Sequence, residues 1–549
     1  MQDERDSLDF WLGQFRRLDG VWTGDDCEPG RCYHPLMRDR GRAFLGFLGM
    51  LRAKVGLWRA VSGLILICVF VVVALRAGSQ SITEDEALTF HSYLGDSFGK
   101  VFTSHYDANN SVVHTALCWL SIHIFGLTEF GFRIPTLAGS ILFFWAVFQL
   151  ASILFGRQFF HLIAVLSLAG NPYVLDFFTV ARGYGLALGF LALALLAAVR
   201  MVNADEIDHA GLFRAGLWSS LSVASSLAFL FAAAGLLLAL MLVLLRYPGR
   251  RTRSAVALMV IDSAWGPFTV LSFLILVLPL LTATPASFSI GATKWHETIA
   301  SLVRTSFFHN LEIPLLSSWP KLFQYICEKM AATYIPVLAG SILVAAVGLL
   351  FRAGGRRDRL SLLVSLAFSL TVAVAWLAHS FAHVKLPVMR TGVYFLFLFP
   401  LALLSFLAGE RRSPARRLGW AFLPVALFLV LFYVPQSDAK ATFDWRSDAA
   451  IRKFSEAIEL IRIYQGVSNV RVGGSPVFTE TLSFYRLKNG YGQWQPIVRQ
   501  KATDPADFYV LANTDRDAIH ALNLRLLLDD PVSQSILAVP SRIPPVEVK

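Results

Sequence analysis

Charged residues are scarce in this chain. They make up 16% of its 549 residues, whereas hydrophobic residues make up 55%, with 44 Phe among them, and the mean hydropathy is +0.56. This balance lies outside the usual range of soluble domains. The composition therefore excludes an ordinary soluble globular protein and indicates a polytopic membrane protein.

Cysteines are also few, and their spacing matches no disulfide framework. Cys27 and Cys32 lie close together near the N-terminus, but no second pair completes a zinc site. The other three, Cys68, Cys118 and Cys327, are far apart. We assign no function to the cysteines.

The sequence shows no internal repeat and no low-complexity segment. About 60 mostly polar residues precede the first apolar run, so we expect that run to act as an uncleaved anchor rather than a cleavable signal peptide. Charges within the apolar runs are rare beyond Asp262. Because transporters usually show repeats and ionisable residues within the membrane, these features disfavour a transporter.

Apolar runs long enough to cross a hydrocarbon core predict about eleven membrane-spanning helices. They cover residues 61–75, 132–154, 160–180, 184–201, 213–229, 230–245, 255–282, 331–351, 360–379, 391–407 and 418–434. The runs lack the alternating pattern of outer-membrane strands. Residues 213–245 form one apolar run that is split only by Ser and Ala, so the division between 213–229 and 230–245 is the weakest.

Positive charge marks the topology. The 49 Lys and Arg exceed the 38 Asp and Glu, and the net charge is +11. Three clusters lie between predicted spans: Arg246, Arg250, Arg251 and Arg253; Arg352, Arg356, Arg357 and Arg359; Arg411, Arg412, Arg416 and Arg417. The positive-inside rule places these loops in the cytoplasm. We therefore expect no nucleic-acid partner, a cytoplasmic N-terminus and an outer C-terminus.

The predicted topology divides the chain into three parts. These are a cytoplasmic segment over 1–60, a transmembrane domain over 61–435 whose first outer loop covers 76–131, and an outer domain over 436–549. In the last part, helical spacing covers 446–465, and 470–472 and 508–511 are typical of strands. We predict a small C-terminal α/β domain.

An acidic triplet, Glu84, Asp85 and Glu86, follows the first predicted span. Thr83 and Glu86 fit a capping box, which is a structural explanation. A carboxylate at a membrane boundary also loses hydration, which raises its pKa and suits it to act as a general base. We predict that Asp85 or Glu86 is catalytic, and the two roles are compatible.

Further polar residues in the first outer loop are candidates for substrate binding. They are His105, Asn109, Asn110 and His114. A lone His is more often structural than a ligand, and the spacing of Asp85, His105 and Asp107 matches no standard metal site. We predict no certain cofactor, with a divalent metal ion at these three residues as the one candidate.

Cations in two later outer loops are candidates for phosphate binding. Arg182 and Tyr184 lie at the edge of one span, and Lys385 and Arg390 lie between the ninth and tenth spans. Arg offers a phosphate two parallel hydrogen bonds, and Lys offers a point charge. Interfacial snorkelling of Arg182 and a salt bridge to the acidic loop are the structural alternatives.

These motifs together resemble the GT-C superfamily of membrane glycosyltransferases, which includes protein O-mannosyltransferases and lipid A aminoarabinose transferases, of the family 39 type. The motifs that carry the resemblance are Asp85-Glu86-Ala87, Asn109-Asn110 with His114, Phe125-Gly126, Arg133-Ile134-Pro135, Asn171-Pro172, Arg182-Gly183-Tyr184 and the segment with Arg390. Many relatives carry His-Pro-Pro or Lys-Pro-Pro where this chain has residues 107–110, so we expect acceptor or donor selection to differ.

The resemblance implies a GT-C fold and an enzyme that moves a single sugar from a polyprenyl phosphate to an acceptor on the outer face of the membrane. It implies that Asp85 acts as a base or positions the acceptor, while Arg182 and Arg390 stabilise the leaving phosphate. The expected partners are the lipid-linked donor, membrane lipid and an acceptor that is lipid, glycan or protein. The expected location is the bacterial inner membrane, with a periplasmic active site. The alternatives are a transporter or flippase and an O-antigen ligase or polymerase.

Overall fold

The computed structural model describes residues 56–541, except residues 96, 108–109, 157, 308–319, 353, 411–412 and 437–439. Within this described part, nine helices are long and apolar enough to cross a membrane. They are Leu57–Ser79, Glu129–Phe155, Gly183–Asn203, Leu227–Arg246, Arg253–Leu281, Gln324–Phe351, Arg356–Ala382, Met389–Ala408 and Pro414–Tyr433. The predicted helical, polytopic membrane fold with a small C-terminal sheet is confirmed.

Shorter helices lie between the spanning helices and in the C-terminal part. They are Glu84–Thr89, Lys100–Thr103, Val112–Phe125, Phe159–Ala169, Pro172–Asp176, His209–Ser225, Trp295–Phe307, Ile451–Gln465, Thr479–Lys488 and Asp517–Ala521. Single π-helical segments, which are often found at functional sites, occur at Phe90–Leu94, Ile261–Trp265 and Met330–Tyr334.

One predicted span, 160–180, is wrong as a continuous helix. Helix Phe159–Ala169 has 11 residues, which is too few to cross a hydrocarbon core. A new helix, Pro172–Asp176, begins after Asn171, whose side chain accepts hydrogen bonds from the backbone of Tyr173 and Val174. Asn at the N-cap followed by Pro at the first helical position is a strong helix start, so the chain turns here.

The division predicted between 213–229 and 230–245 is confirmed. Helix His209–Ser225 ends at Ser226, whose backbone is extended, and the next helix begins at Leu230 after a single 3-10 turn. The first of these two helices has 17 residues, so it falls short of the lengths of the nine spanning helices.

The first outer loop contains a helix that the sequence analysis missed. Residues Val112–Phe125 form an apolar helix of 14 residues. The polar side chains His114 and Ser121 lie on its buried side, whereas Leu120 and Ile124 are exposed. The sequence analysis assigns this stretch to a loop, because its polar residues are not recognisable as one face of a helix from the sequence alone.

Two glycines allow helices Glu129–Phe155 and Gly183–Asn203 to pack closely. A side chain at Gly139 would lie 2.7 Å from the Cα atom of Leu186, and one at Gly189 would lie 2.6 Å from the carbonyl oxygen of Gly139. Small residues at helix contacts are typical of membrane proteins, where close backbone approach supplies the packing energy. This contact places Glu129 and Arg182, which lie at adjoining ends, on the same side of the bundle.

The C-terminal part contains a four-stranded mixed sheet. Its strands are β1 (Val472–Gly474), β2 (Phe508–Leu511), β3 (Leu524–Asp529) and β4 (Ile536–Pro540). Their order is β1-β2-β4-β3, with β1 and β2 parallel and the other pairs antiparallel. The strand predicted at 508–511 matches β2, and the one at 470–472 is displaced to β1. The described residues from Val61 onwards belong to one compact unit.

Candidate active site

The acidic triplet begins the short helix Glu84–Thr89. The Thr83 hydroxyl accepts a hydrogen bond from the Glu86 backbone, and a Glu86 carboxylate oxygen accepts one from the Thr83 backbone at 2.8 Å. The predicted capping box is therefore confirmed. The helix turns Asp85 and Glu86 in different directions, because consecutive residues on a helix do not share a face.

Glu86 lies in a closed ion pair with Arg133. Arg133 donates to both carboxylate oxygens of Glu86, at 2.8 and 2.7 Å, and neither side chain is exposed. The backbone N–H of Ala181 donates to the same carboxylate. Glu86 thus links the segment that precedes helix Gly183–Asn203 to the first outer loop, and its oxygens are enclosed by protein.

Arg133 also closes the end of the first spanning helix. Its remaining N–H groups donate to the carbonyl oxygens of Ala77, Gln80 and Ser81, at 3.0, 2.9 and 2.7 Å. Ala77 is in the last turn of the helix, where carbonyls have no partner within the helix, and Gln80 and Ser81 follow the helix end. All five donors of Arg133 are used, which explains why such a charge is stable without water.

Asp85 lies between two arginines. Arg390 donates to its carboxylate at 2.5 Å, and a terminal nitrogen of Arg182 lies 3.7 Å from the same oxygen. The Trp445 side chain also donates to it. Burial raises the pKa of Asp85, but the two arginines and these hydrogen bonds outweigh it and hold the pKa below its usual range.

The backbone presents both arginines at helix starts. Arg182 is 2% exposed and precedes helix Gly183–Asn203. A side chain at Gly183 would lie 1.9 Å from the carbonyl oxygen of Ser225, so glycine lets the chain pass close to its neighbour. Arg390 follows Met389, whose φ of 43° lies in the left-handed region, and the backbone N–H of Met389 donates to Ser301 at 3.0 Å.

The C-terminal part completes this site with residues 441–445, which we call the tail segment. Arg76 donates to the carbonyl of Ala441 at 3.1 Å and to Asp176 at 2.7 Å. The other oxygen of Asp176 accepts the backbone N–H of Phe443 at 2.7 Å. A buried ion pair between the first spanning helix and helix Pro172–Asp176 therefore holds the tail segment in place.

Two side chains of the tail segment face the arginine cluster. The Trp445 ring centroid lies 5.8 Å from the guanidinium carbon of Arg390. The Tyr173 hydroxyl donates to Asp444 at 2.8 Å. Burial raises the pKa of Asp444 to about 6, while the Tyr173 hydrogen bond and Arg390 lower it.

The other predicted site residues divide into buried and exposed groups. Tyr184, Asn110 and His114 are buried near Arg182; Asn110 donates to the carbonyl of Val101, and His114 contacts the Thr136 hydroxyl at 2.8 Å. Lys385 and His105 are exposed, and neither forms an ion pair with a residue that the structure describes. Asn109 lies outside the described residues.

The metal site considered at Asp85, His105 and Asp107 is not assembled. His105 and Asp107 are exposed, whereas the Asp85 carboxylate is turned inwards to the arginines. In the described ranges, no three His, Cys, Asp or Glu side chains form a group that could hold a metal ion.

Sequence reasoning missed the contributions of Tyr173, Asp444 and Trp445. Tyr173 lay inside a predicted span, and the tail segment was assigned to a separate domain. Asp444 beside Trp445, about ten residues after the last apolar run, resembles the acidic start of the first loop. That pattern was the only available indication, since 271 residues separate Tyr173 from Asp444.

An apolar cavity of about 370 Å³ lies beside the site. Trp295, Leu302, Phe399, Val425 and Phe428 are among its lining residues. Helix Trp295–Phe307, which we call the wall helix, lines part of the cavity and forms hydrogen bonds with two segments near the charged cluster. Its Ser301 accepts the backbone N–H next to Arg390, and its Ser306 accepts a hydrogen bond from Asn171 at 3.0 Å.

No family model and no curated protein sequence matches the chain. Among solved structures, it is similar to ArnT from Cupriavidus metallidurans in the apo state, with 15% identity, a TM-score of 0.38 and coverage of 88% of this chain and 98% of that one. For ArnT bound to undecaprenyl phosphate the identity is 14%, the TM-score 0.38 and the coverage 89% and 98%.

The chain is also similar to the archaeal oligosaccharyltransferase AglB from Archaeoglobus fulgidus, in complex with an inhibitory peptide and a dolichol-phosphate. Here the identity is 12%, the TM-score 0.40 and the coverage 87% of this chain and 75% of that one. TM-scores below 0.5 describe a loose similarity, so the function of this chain has to be argued from its own side chains.

Proposed function

We propose that this chain transfers a single sugar from a polyprenyl phosphate to an acceptor on the outer face of the membrane. The observation that carries the proposal is the cluster of Asp85, Arg182 and Arg390. Two guanidiniums converge on one carboxylate oxygen, and the side chains of Asp85 and Arg390 are partly exposed. A phosphate at this cluster would accept hydrogen bonds from the guanidiniums, since arginine matches phosphate oxygens with two parallel hydrogen bonds.

The apolar cavity would hold the lipid chain of the donor. It is lined by carbon-rich side chains, and its wall helix supports the turn that carries Arg390. A polyprenyl chain in the cavity would therefore direct its phosphate to the arginine cluster. Apolar burial would supply binding energy, at about 0.8 kcal/mol for each CH2 group removed from water.

In the proposed reaction, an acceptor atom attacks the anomeric carbon in line with the bond to the phosphate, and the configuration inverts. The bond to the phosphate oxygen breaks, and polyprenyl phosphate leaves with the electron pair. Preorganised arginines near lipid stabilise that developing charge by several kcal/mol, roughly as oxyanion sites do. The ion pairs of Asp85 favour a positioning role, in which its carboxylate holds Arg182 and Arg390 at the phosphate.

The topology supports an outer active site. By the positive-inside rule the basic residues before the first spanning helix and the three basic clusters are cytoplasmic, so Asp85, which follows that helix, lies on the other side. Arg182 and Arg390 contact Asp85 and therefore lie on the same side as it does. We propose a multi-pass protein of the bacterial inner membrane whose active site faces the periplasm.

The test is transfer of radiolabelled sugar to endogenous membrane acceptors, from a panel of mannosyl, glucosyl, arabinosyl and aminosugar polyprenyl phosphates. We expect the intact chain to use one donor, and Asp85→Asn to reduce its rate about a hundredfold, because misplaced arginines lose the in-line geometry. The matched control is Glu456→Gln, an exposed carboxylate that pairs with its helical neighbour Arg452. No transfer from any donor by a folded intact chain would favour a transporter or an oligosaccharide ligase instead.

The cavity is tested separately with Ala339→Phe, which places a ring among the lining residues. We expect the KM for long-chain donors to rise about tenfold, since several CH2 groups lose their apolar contacts, and the KM for a short-chain analogue to change little. Val344→Phe on the same helix is the control, because Val344 is 72% exposed and lies away from the cavity lining. Equal effects of the two substitutions would contradict lipid binding in this cavity.

A further inference from the structure

Asp444 is a carboxylate beside the arginine cluster that is only partly used by the protein. Its Oδ2 atom accepts the hydrogen bond from Tyr173 at 2.8 Å. Its Oδ1 atom is buried and has no hydrogen-bond partner among the residues that the structure describes. A buried polar atom without a partner is costly, and such atoms often mark a place where a substrate binds.

The position of Asp444 is well determined by its neighbours. On one side the backbone N–H of Phe443 is held by Asp176, and on the other Trp445 contacts both Asp85 and Arg390. Asp444 therefore lies between two fixed residues at the edge of the phosphate site. A group held in this way can meet a substrate in one geometry, as proton transfer requires.

The two other candidate carboxylates are less suited to take a proton. Asp85 is engaged by two arginines, which favour its charged form. Asp448 also has a buried Oδ1 atom without a partner among the described residues, and its Oδ2 atom accepts the backbone N–H of Glu84 at 2.8 Å, but it is only 2% exposed. Asp444 differs from Asp85 in lacking an arginine hydrogen bond among the described residues, and from Asp448 in being partly exposed, so a substrate can reach it.

We propose that Asp444 is the general base that accepts the proton of an acceptor hydroxyl; this rests on the sugar transfer proposed for the same site. The acceptor oxygen forms a bond to the anomeric carbon, and the bond from that carbon to the phosphate oxygen breaks. The hydroxyl proton passes to Oδ1 of Asp444, and polyprenyl phosphate leaves with the electron pair. The Tyr173 hydroxyl positions the carboxylate through Oδ2.

The same carboxylate indicates the chemical class of the acceptor. A hydroxyl group needs a base and would pair with the free oxygen of Asp444. A phosphate acceptor needs no base and would be repelled by a second negative charge at this place. We therefore assign a neutral hydroxyl, rather than a phosphate group, as the attacking group.

The pH dependence of this base follows from the groups that surround it. Burial raises the pKa of Asp444 to about 6; Tyr173 and Arg390 lower it, and Asp176 and Asp85 raise it. A base must be unprotonated to act, so the transfer rate should rise with pH through about 6 and then level off.

The experiment measures transfer of the radiolabelled sugar that the intact chain uses, on both sides of pH 6, for the intact chain, Asp444→Asn, Asp444→Glu and Tyr173→Phe. We expect Asp444→Asn to lose about a hundredfold or more in rate and to lose the rise with pH. Asp444→Glu should recover part of both. Tyr173→Phe should move the rise to higher pH, because the carboxylate loses a hydrogen bond that favours its charged form.

Two measurements keep these outcomes distinguishable. Binding of the labelled donor lipid to each purified full-length variant should be retained, which separates loss of the base from loss of folding or of the donor site. The labelled product should resist mild acid, since a glycoside of a hydroxyl is stable where a sugar phosphate is cleaved.

Unchanged rate and pH dependence in Asp444→Asn would overturn the inference while leaving the proposed transferase intact, and so would an acid-labile product. Absence of transfer by the intact chain would instead contradict the transferase itself. Asp448→Asn is the matched control from the same part of the chain, and it should keep the rise with pH.

Discussion

Two neighbouring residues of one short helix form ion pairs of opposite character. Glu86 and Arg133 are both fully buried, and each finds its partners within the protein. Asp85 faces Arg390 and Arg182, with side-chain exposures of 14%, 23% and 2%. The first pair, the closed pair, is neutral and fully enclosed, whereas the second, the open cluster, is partly exposed and has Asp444 beside it.

This difference indicates a structural role for Glu86 and is the basis of the functional role that we propose for Asp85. The closed pair leaves no guanidinium N–H free for a ligand. It connects the first spanning helix, helix Glu84–Thr89 and the segment that precedes Gly183. Asp85 and Arg390 keep part of their surface exposed, so a ligand can reach them. Burial and charge alone therefore do not distinguish the two acids, whereas their accessibility and hydrogen-bond partners do.

Breaking the closed pair should give the largest effect on stability. Arg133→Ala leaves the Glu86 charge and three carbonyls at and just after the end of the first spanning helix without their donor, so we expect a loss of about 3–5 kcal/mol in the free energy of unfolding. Thermal unfolding of the detergent-solubilised protein, followed by size-exclusion chromatography, measures this. Arg452→Ala is the control, because Arg452 is 41% exposed and lies 4.0 Å from Glu129. We expect it to cost less than about 1 kcal/mol. Similar losses in the two variants would contradict the structural role of Arg133.

Breaking the open cluster should affect activity rather than stability. Arg390→Ala removes the shorter of the two contacts to Asp85, and we expect the transfer rate to fall about a hundredfold to a thousandfold, as for loss of one oxyanion-site donor. Arg390→Lys should recover part of the rate, because it restores the charge but not the paired hydrogen bonds. Lys453→Ala, at an exposed outer residue, is the control. A large loss of thermal stability without loss of rate per folded molecule would reverse the roles assigned to the two ion pairs.

Neutralising Glu86 and Asp85 one at a time should change stability in one variant and the transfer rate in the other. Glu86→Gln should lower stability by about 1–3 kcal/mol, the cost of a buried donor without its charged acceptor, while the rate per folded molecule stays close to that of the intact chain. Asp85→Asn should do the reverse. Folded protein quantified before each transfer assay separates the two quantities. Equal loss of rate in both variants would show that the acidic helix acts as one unit.

The smallest expected effect concerns acid stability. Because the arginines hold the pKa of Asp85 below its usual value of 3.8, the ionised carboxylate stabilises the folded state above about pH 4. This contribution is lost as the pH falls through the lower pKa of the folded protein. The difference in unfolding temperature between the intact chain and Asp85→Asn should therefore be constant near neutral pH and should shrink in acid. A difference that grows in acid would contradict the ion pairs.

Local sequence patterns predicted much of the fold. Long apolar runs predicted the nine spanning helices, and the division at Ser226 was recovered from a weak break in one run. The capping box at Thr83 was also predicted, since its residues are three positions apart. The pattern failed over 160–180, where apolar residues continue through a turn that Asn171 and Pro172 begin.

The site was predicted in part. Asp85, Arg182 and Arg390 were selected from the sequence, and the structure brings them together. Their pairing with one another, rather than with separate partners, could not be predicted, because 305 residues separate Asp85 from Arg390. Lys385 had the same sequence context as Arg390, yet it lies in an extended stretch, bridged at Leu386 to Ala292, with its side chain exposed.

The sequence by itself determined the class of this protein, since hydropathy and capping act over a few turns of chain. Only the tertiary structure decided which acid is structural and which belongs to the open cluster, because Asp85 and Glu86 have the same local context and differ only in the arginines that reach them. It alone also brought Asp444 to the site, since residues distant in sequence meet only through tertiary contacts. Here the buried ion pair of Arg76 and Asp176 holds the tail segment against the packed helices.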